Sequence, residues 1–213
     1  MPYQVKEIFY TLQGEGQNTG RPAVFCRFSG CNLWNGREHG RKDAICRFCD
    51  TDFVGTNGDG GGVFASADIL VDAVAATWQG ASHPRAARFV VCTGGEPLLQ
   101  LDAPLVEGLH AAGFEVAVET NGTRSTVPGL DWVCVSPKGG TDLAITSGNE
   151  LKLVFPQDGV DPARFESLGF DRLWLQPMDG PDVEQNTALA VRYCLENPQW
   201  RLSIQTHKHI GIR

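Results

Sequence analysis

The sequence predicts an α/β fold built on a mostly parallel sheet. Three observations predict it. Short β-rich runs recur along the chain, helical patterns lie between them, and Val90–Val91 and Val116–Val118 look buried on both faces, as parallel strands are. No internal repeat at a solenoid period interrupts this alternation.

Strands are expected at Val5–Tyr10, Ala23–Ser29, Arg88–Thr93, Glu115–Thr120, Trp132–Ser136, Glu150–Phe155, Leu173–Gln176 and Leu202–Thr206. Each is rich in Val, Ile, Phe or Trp and runs out at Gly, Pro or Ser. Ser66 is placed to cap a first helix, whose stripe Ile69, Leu70, Ala73, Val74 and Trp78 follows a 3.6-residue period. Leu105–Ala112 is a second helix, closed by Gly113 just past its end. Pro162–Leu168 and Val183–Leu195 are a third and a fourth, the last stopped before Pro198. In such folds ligands gather at the carboxyl ends of the strands. Asn32–Ala44 breaks the alternation and reads as a loop or short helix, and glycine-dense Gly55–Gly62 as a mobile surface turn.

The length suits one domain spanning 1–213. The net charge of −7 disfavours phosphate backbones and anionic lipid, so neither nucleic acid nor membrane is expected as partner. No apolar run is long enough to span a bilayer, and Met1 to Gly20 lacks a basic region followed by an apolar block. Seven cysteines, an odd number, argue for a reducing compartment, and the cytoplasm is the expected location. Cys26, Cys92, Cys134 and Cys194 stand alone in apolar segments and read as small buried hydrophobes.

Cys31, Cys46 and Cys49 differ. Cys46 and Cys49 have the two-residue spacing that brings two thiolates to one metal centre, and Cys31 follows a strand end. Three thiolates suit a 4Fe–4S cluster with one open iron. On the cysteines alone, structural zinc with His39 as fourth ligand is the stronger reading. Downstream, Thr93-Gly94-Gly95-Glu96-Pro97 follows a strand directly. Its paired glycines let a ligand approach the backbone, and Glu96 adds an acceptor for an amine.

An aromatic between paired cysteines, Phe48, followed by Gly-Gly-Glu-Pro after the next strand, resembles the radical S-adenosylmethionine (SAM) superfamily. The usual spacing there is Cys-x3-Cys-x2-Cys; here it is Cys-x14-Cys-x2-Cys. Further runs sharpen the match. Glu7-Ile8-Phe9-Tyr10-Thr11-Leu12-Gln13-Gly14-Glu15-Gly16, Arg27 to Trp34, Cys49-Asp50-Thr51, Glu119-Thr120-Asn121-Gly122, Ser136-Pro137-Lys138, Gln176-Pro177-Met178-Asp179 and Gln205-Thr206-His207-Lys208 resemble 7-carboxy-7-deazaguanine synthases, a family in which an expanded cysteine loop is known.

The resemblance covers nearly the whole chain. It implies a partial, β6/α3-like radical SAM barrel of mostly parallel strands. It implies conversion of 6-carboxy-5,6,7,8-tetrahydropterin to 7-carboxy-7-deazaguanine and ammonia, in queuosine and related 7-deazapurine biosynthesis. The cofactors implied are a 4Fe–4S cluster on Cys31, Cys46 and Cys49, SAM, and Mg²⁺ with Thr51 as ligand. An electron donor such as flavodoxin or ferredoxin and a homodimeric state are implied too.

Leu12, Gln13, Gly14 and Glu15 are then expected at the amino and ring N–H edge of the pterin. Arg27 offers its fork to the substrate carboxylate, and Thr93 is carried over as a further contact. For SAM the expected set is Phe48, Cys49, Asp50 and Gly95, with Ser136, Pro137 and Lys138 ending one strand and Gln176, Pro177, Met178 and Asp179 another. Glu119 and Asn121 are placed either for ribose or methionine groups or for inward turn contacts. No side chain is expected as an acid–base catalyst, and His207 and His209 are left outside the catalytic set. The family places a proline on the substrate near its C-terminus, whereas this chain ends Gly211-Ile212-Arg213, a departure that leaves the contact unassigned, although Arg213 could reach the substrate through its backbone carboxylate or its guanidinium.

Overall fold

A computed structural model describes residues 2–81 and 87–213. Strands β1 (Tyr3–Leu12) and β2 (Pro22–Phe28) form an antiparallel hairpin, and β3 (Gly62–Phe64) pairs antiparallel with the start of β1. Helix α1 (Ala67–Thr77) leads to β4 (Arg88–Gly94), and α2 (Ala103–Ala111) to β5 (Phe114–Thr120). Then come β6 (Trp132–Val135), β7 (Ser147–Gly148), β8 (Glu150–Phe155), β9 (Gly169–Phe170) and β10 (Leu173–Pro177). Helix α3 (Val183–Glu196), β11 (Trp200–Leu202) and α4 (Thr206–Ile210) complete the chain.

Nine strands form one sheet in the order β11-β10-β8-β6-β5-β4-β2-β1-β3, and every pairing from β2 to β11 is parallel. Among the described residues the sheet stays open, with β11 and β3 as its edges. That is the partial, mostly parallel arrangement expected.

Alternation along the strands divides the sheet into two faces. Val24, Cys26 and Phe28 of β2, Val90 and Cys92 of β4, and Val116 and Val118 of β5 face α1 and α2. Leu151, Leu153 and Leu175 pack under α3 with Ala190. On the opposite, concave face Phe25, Val91, Ala117 and Trp132 lie in one layer and fill its lower part. The next inward positions of three of these strands are polar, namely Arg27, Thr93 and Glu119. The concave face is therefore apolar at its base and polar at the carboxyl ends.

Several expectations need correction. The last strand is Trp200–Leu202, not Leu202–Thr206. Beyond Leu202 the chain peels away: Ser203 N–H donates to the Leu175 carbonyl at 2.8 Å and Thr206 N–H to the Gly14 carbonyl at 2.9 Å. Those bonds carry the segment over the carboxyl ends and into α4. Pro162–Leu168 forms only a 3-10 turn over Pro162–Phe165, capped by Asp161, because Gly169 follows too soon for a full helix. Ser66 sits at the start of α1 but makes no side-chain cap. Cys194 is half-buried rather than fully buried. The Gly55–Gly62 turn lies on the surface and is tied to β1, with Gly58 N–H donating to the Lys6 carbonyl and Ile8 N–H to the Asp59 carbonyl. Only glycine fits at position 61, where a Cβ would stand 2.1 Å from the Lys6 oxygen.

Leu175 is fully buried beneath α3. Its truncation in L175A is expected to cost about 2–5 kcal/mol of stability, read as a lower urea midpoint with unchanged slope.

Candidate active site

A cavity of about 420 Å³ opens at the carboxyl ends of the strands. Every residue expected at the substrate, at SAM or at a metal lines it, with the exception of Pro137. Pro137 is buried to one side, where its carbonyl accepts a hydrogen bond from Gln157 Nε2 at 3.1 Å. Glu119, Asn121, His207 and Arg213 also reach the wall.

The turn after β4 shapes the cavity centre. Gly95 N–H donates to the Phe28 carbonyl, and Glu96 N–H to the Gly30 carbonyl at 2.9 Å. A Cβ on Gly95 would stand 2.0 Å from the Gly30 oxygen, so no larger residue fits. Glu96 departs from expectation. Its side chain is completely buried, and its carboxylate accepts from Thr120 Oγ1 at 2.7 Å, Asn121 N–H at 2.8 Å and Leu98 N–H at 3.0 Å. It does not line the cavity; the backbone of Gly94 and Gly95 does the facing.

The three cysteines are free and share one end of the cavity. Leu33 N–H donates to Cys31 Sγ at 3.4 Å. Burial pushes the Cys31 thiol up, and the Leu33 and Trp34 amides partly offset it. A hydrogen bond from Cys46 brings Cys49 down to about 6, against burial. The Trp34 indole N–H is buried without a protein acceptor among the described residues. Apolar walls, backbone donors and three thiols fit an iron–sulfur cluster. Among the described residues no three His, Cys, Asp or Glu side chains converge on a single-ion position. Cluster binding asks for something else, since its cysteines bind separate irons. His39 is exposed and outside the cavity, so the Cys₃His zinc set is not assembled.

The Asn32–Ala44 segment folds as loop with one 3-10 stretch, Glu38–Asp43. Arg41 organises it. Its guanidinium pairs with both Glu38 oxygens, donates to the carbonyls of Arg47 and Cys49 at 2.9 and 3.0 Å, and stacks on Trp34. Asn32 joins the loop to the end of β5, accepting from Asn121 Nδ2 and donating to Thr123 Oγ1.

The other end of the cavity is ionic. Lys152, which was not foreseen, bonds Glu15 at 2.5 Å and Glu119 at 3.3 Å, and its side chain is 4% exposed. Gln13 Nε2 donates to Glu119 Oε1 at 2.8 Å while Gln13 Oε1 accepts from Glu15 N–H, which closes a ring. Burial pushes the Glu15 carboxyl up, but the Lys152 ammonium and the Gln205 amide override it and hold it at about 2. Arg27 donates from Nε to Glu7 at 2.8 Å, and its terminal nitrogens make no hydrogen bond among the described residues. Arg213 reaches the same carboxylate at 2.5 Å and Asp59 at 2.7 Å. Lys208, also unforeseen, bridges Asp50 and Asp179 at 2.7 and 2.6 Å and so straps α4 across the cavity. Lys138 Nζ is held by Ser136 and lies 5.9 Å from the centre of the Phe48 ring.

G95A is expected to displace the Gly30–Cys31 backbone. After anaerobic reconstitution it should retain far less iron and sulfide than the wild type, with an unaltered far-ultraviolet circular dichroism spectrum.

No family model matches the chain. A 7-carboxy-7-deazaguanine synthase from Bradyrhizobium diazoefficiens is 62% identical over 213 residues, covering 100% of both chains. Those from Caulobacter vibrioides and Burkholderia multivorans are 61% and 60% identical, again over 100% of both. The crystal structure of QueE from Escherichia coli superimposes with a TM-score of 0.68 at 30% identity, covering 97% of this chain and 95% of that one. Full-length identity at this level, on a matching fold, means that the chain belongs to the 7-carboxy-7-deazaguanine synthase family.

Proposed function

We propose that the chain is a radical SAM enzyme that converts 6-carboxy-5,6,7,8-tetrahydropterin to 7-carboxy-7-deazaguanine with loss of ammonia, on the route to queuosine and related 7-deazapurines. One observation carries the reading. A single cavity has three free thiols at one end and, at the other, a guanidinium fork beside a fixed carboxylate. That is the complement of a cluster on one side and a carboxylated, donor-rich pterin on the other.

Cys31, Cys46 and Cys49 would hold the cluster. A 4Fe–4S cluster with an open iron supplies, when bound, the one-electron reduction of SAM that starts hydrogen abstraction from substrate C6. The residues of the chain bind and orient. The Gly94–Gly95 backbone, closed onto Gly30, gives SAM a close approach beside the thiols. Asp50 and Asp179, with the Ser136 to Lys138 and Gln176 to Met178 turns, wall the remaining SAM volume, Pro137 supporting from behind. Arg27 presents its free terminal nitrogens to the substrate carboxylate. Gln13 and Glu15, with the backbone of Leu12 and Gly14, take the pterin edge, and Thr93 stands between the two ends. Thr51 lies in the same wall, and a lone hydroxyl is a weak Mg²⁺ ligand. It would hold that ion jointly with the substrate carboxylate. The α4 strap excludes water from above.

The same reading makes residues 1–213 one catalytic domain in a cytoplasmic homodimer, reduced by a flavodoxin or ferredoxin. No helix among the described residues is long and apolar enough to cross a membrane.

The test is anaerobic reconstitution followed by reaction with SAM, dithionite, Mg²⁺ and 6-carboxy-5,6,7,8-tetrahydropterin. Mass spectrometry is expected to find 7-carboxy-7-deazaguanine, and none with C49A. An intact cluster that cleaves SAM without forming this product would refute the substrate, and uptake of zinc with no cluster would refute the chemistry as well.

A further inference from the structure

The ring at the ionic end of the cavity leaves one charge unbalanced. Two carboxylates, Glu15 and Glu119, share the single ammonium of Lys152, which is itself 4% exposed while both carboxylates face the cavity. Glu15 is tethered on every side. Lys152 takes one oxygen, Gln205 Nε2 donates to the other at 2.9 Å, and the Glu15 N–H is held by Gln13. A carboxylate has about four lone-pair positions, so two acceptor positions remain on an oxygen pair that cannot rotate away. Lys152 belongs to β8, on the concave side of the sheet opposite to Leu151 and Leu153. It lines the cavity but has most of its bonding spent on the two carboxylates.

We infer that Lys152 is a positioning residue for substrate recognition, which fixes the Glu15 carboxylate as an aimed acceptor for the amino and N–H edge of the pterin. The inference rests on the pterin reading given above and deepens it: selectivity for a ring bearing adjacent N–H donors comes from β8 acting through Glu15. The residual negative charge of the trio favours a ligand edge made of donors and disfavours one made of acceptors.

Other groups facing this cluster are Glu150, Cys134 and Lys138 around Lys152, and His207 around Glu15. Loss of the ammonium pushes Lys138 and Cys134 up, which favours the charged form of the first and the neutral form of the second, and K152R, which keeps the positive charge, is the control for these couplings. With the ammonium removed, burial and the neighbouring Glu119 both push the Glu15 carboxyl upward. Protonation then removes an acceptor as pH falls, where the wild type keeps its carboxylate ionised.

The experiment measures the affinity of reconstituted, SAM-bound protein for 6-carboxypterin and for its 2-deamino analogue, by anaerobic titration calorimetry without reductant. K152M is expected to weaken 6-carboxypterin by roughly 10- to 100-fold, the share of charge-assisted hydrogen bonds, and to leave the already weak deamino analogue unaltered. Its affinity should fall further from about pH 8 to about pH 6 while the wild type changes little by comparison. K152R should restore tight, pH-insensitive binding. K152Q keeps a donor and drops the charge, so it is carried alongside in case K152M fails to fold, and it should share the pH dependence. Equal weakening of both ligands, or variant affinities that track the wild type at every pH, would overturn the inference and leave the pterin reading standing. Failure of the wild type to bind 6-carboxypterin would overturn both.

Discussion

The carboxylate of Glu96 stays in a fully dry position because Thr120, Asn121 and Leu98 all donate to it. A buried carboxylate without such donors is costly to keep, and here they come from two different strand ends. Glu96 belongs to the turn after β4, while Thr120 and Asn121 end β5. Asn121 in turn holds Asn32 in the cysteine loop, and Glu96 N–H holds Gly30 at the end of β2. One residue thus locks three strand ends and the approach to Cys31 together, the β5 end through its side chain and the β2 end through its backbone N–H. The cavity inherits its shape from that lock, and the ligand-facing backbone of Gly94 and Gly95 is set before any ligand arrives.

From this centre the cavity divides by chemistry. One side is thiol and aromatic, with Cys31, Cys46 and Cys49 near Trp34, Phe48 and Phe53. The other side is ionic, with Arg27 against Glu7 and Lys152 between Glu15 and Glu119. Trp34, Phe48 and Phe53 make the first apolar, which suits a redox group, and the paired charges make the second directional, which suits a flat polar ligand. The two sides are closed over by the C-terminal segment. Lys208 grips Asp50 beside the cysteines and Asp179 beyond β10, while Arg213 grips Glu7 beside Arg27. Arg213 therefore fastens the C-terminal segment to the ionic side of the cavity.

Much of this was legible in the sequence, for definite reasons. Strands such as Glu150–Phe155 matched because their apolar residues alternate with clear breaks on either side. The motif turns were found because glycines and paired cysteines carry local geometry with them. Glu96 was misjudged because a carboxylate in a glycine turn looks exposed, and only the folded β5 supplies its donors. Lys152 and Lys208 were missed for the same kind of reason. A lysine between Leu151 and Leu153 reads as the outward half of an alternating strand, and its partners Glu15 and Glu119 lie 137 and 33 residues away. Leu202–Thr206 failed because Ile204 continued the apolar alternation while the backbone had already turned to Leu175 and Gly14. Arg41 lay inside a polar insertion whose pattern held no periodicity to read.

The central claim is that one preformed cavity brings a cluster site and a pterin site together. A crystal structure of the anaerobically reconstituted protein with SAM and 6-carboxypterin tests it most directly. The account predicts Cys31, Cys46 and Cys49 on three irons, the SAM amine against the Gly94–Gly95 backbone, and the pterin edge on Glu15 with Lys152 still bonded to it. A pterin bound outside this cavity, or Glu15 turned away from it, would contradict the account.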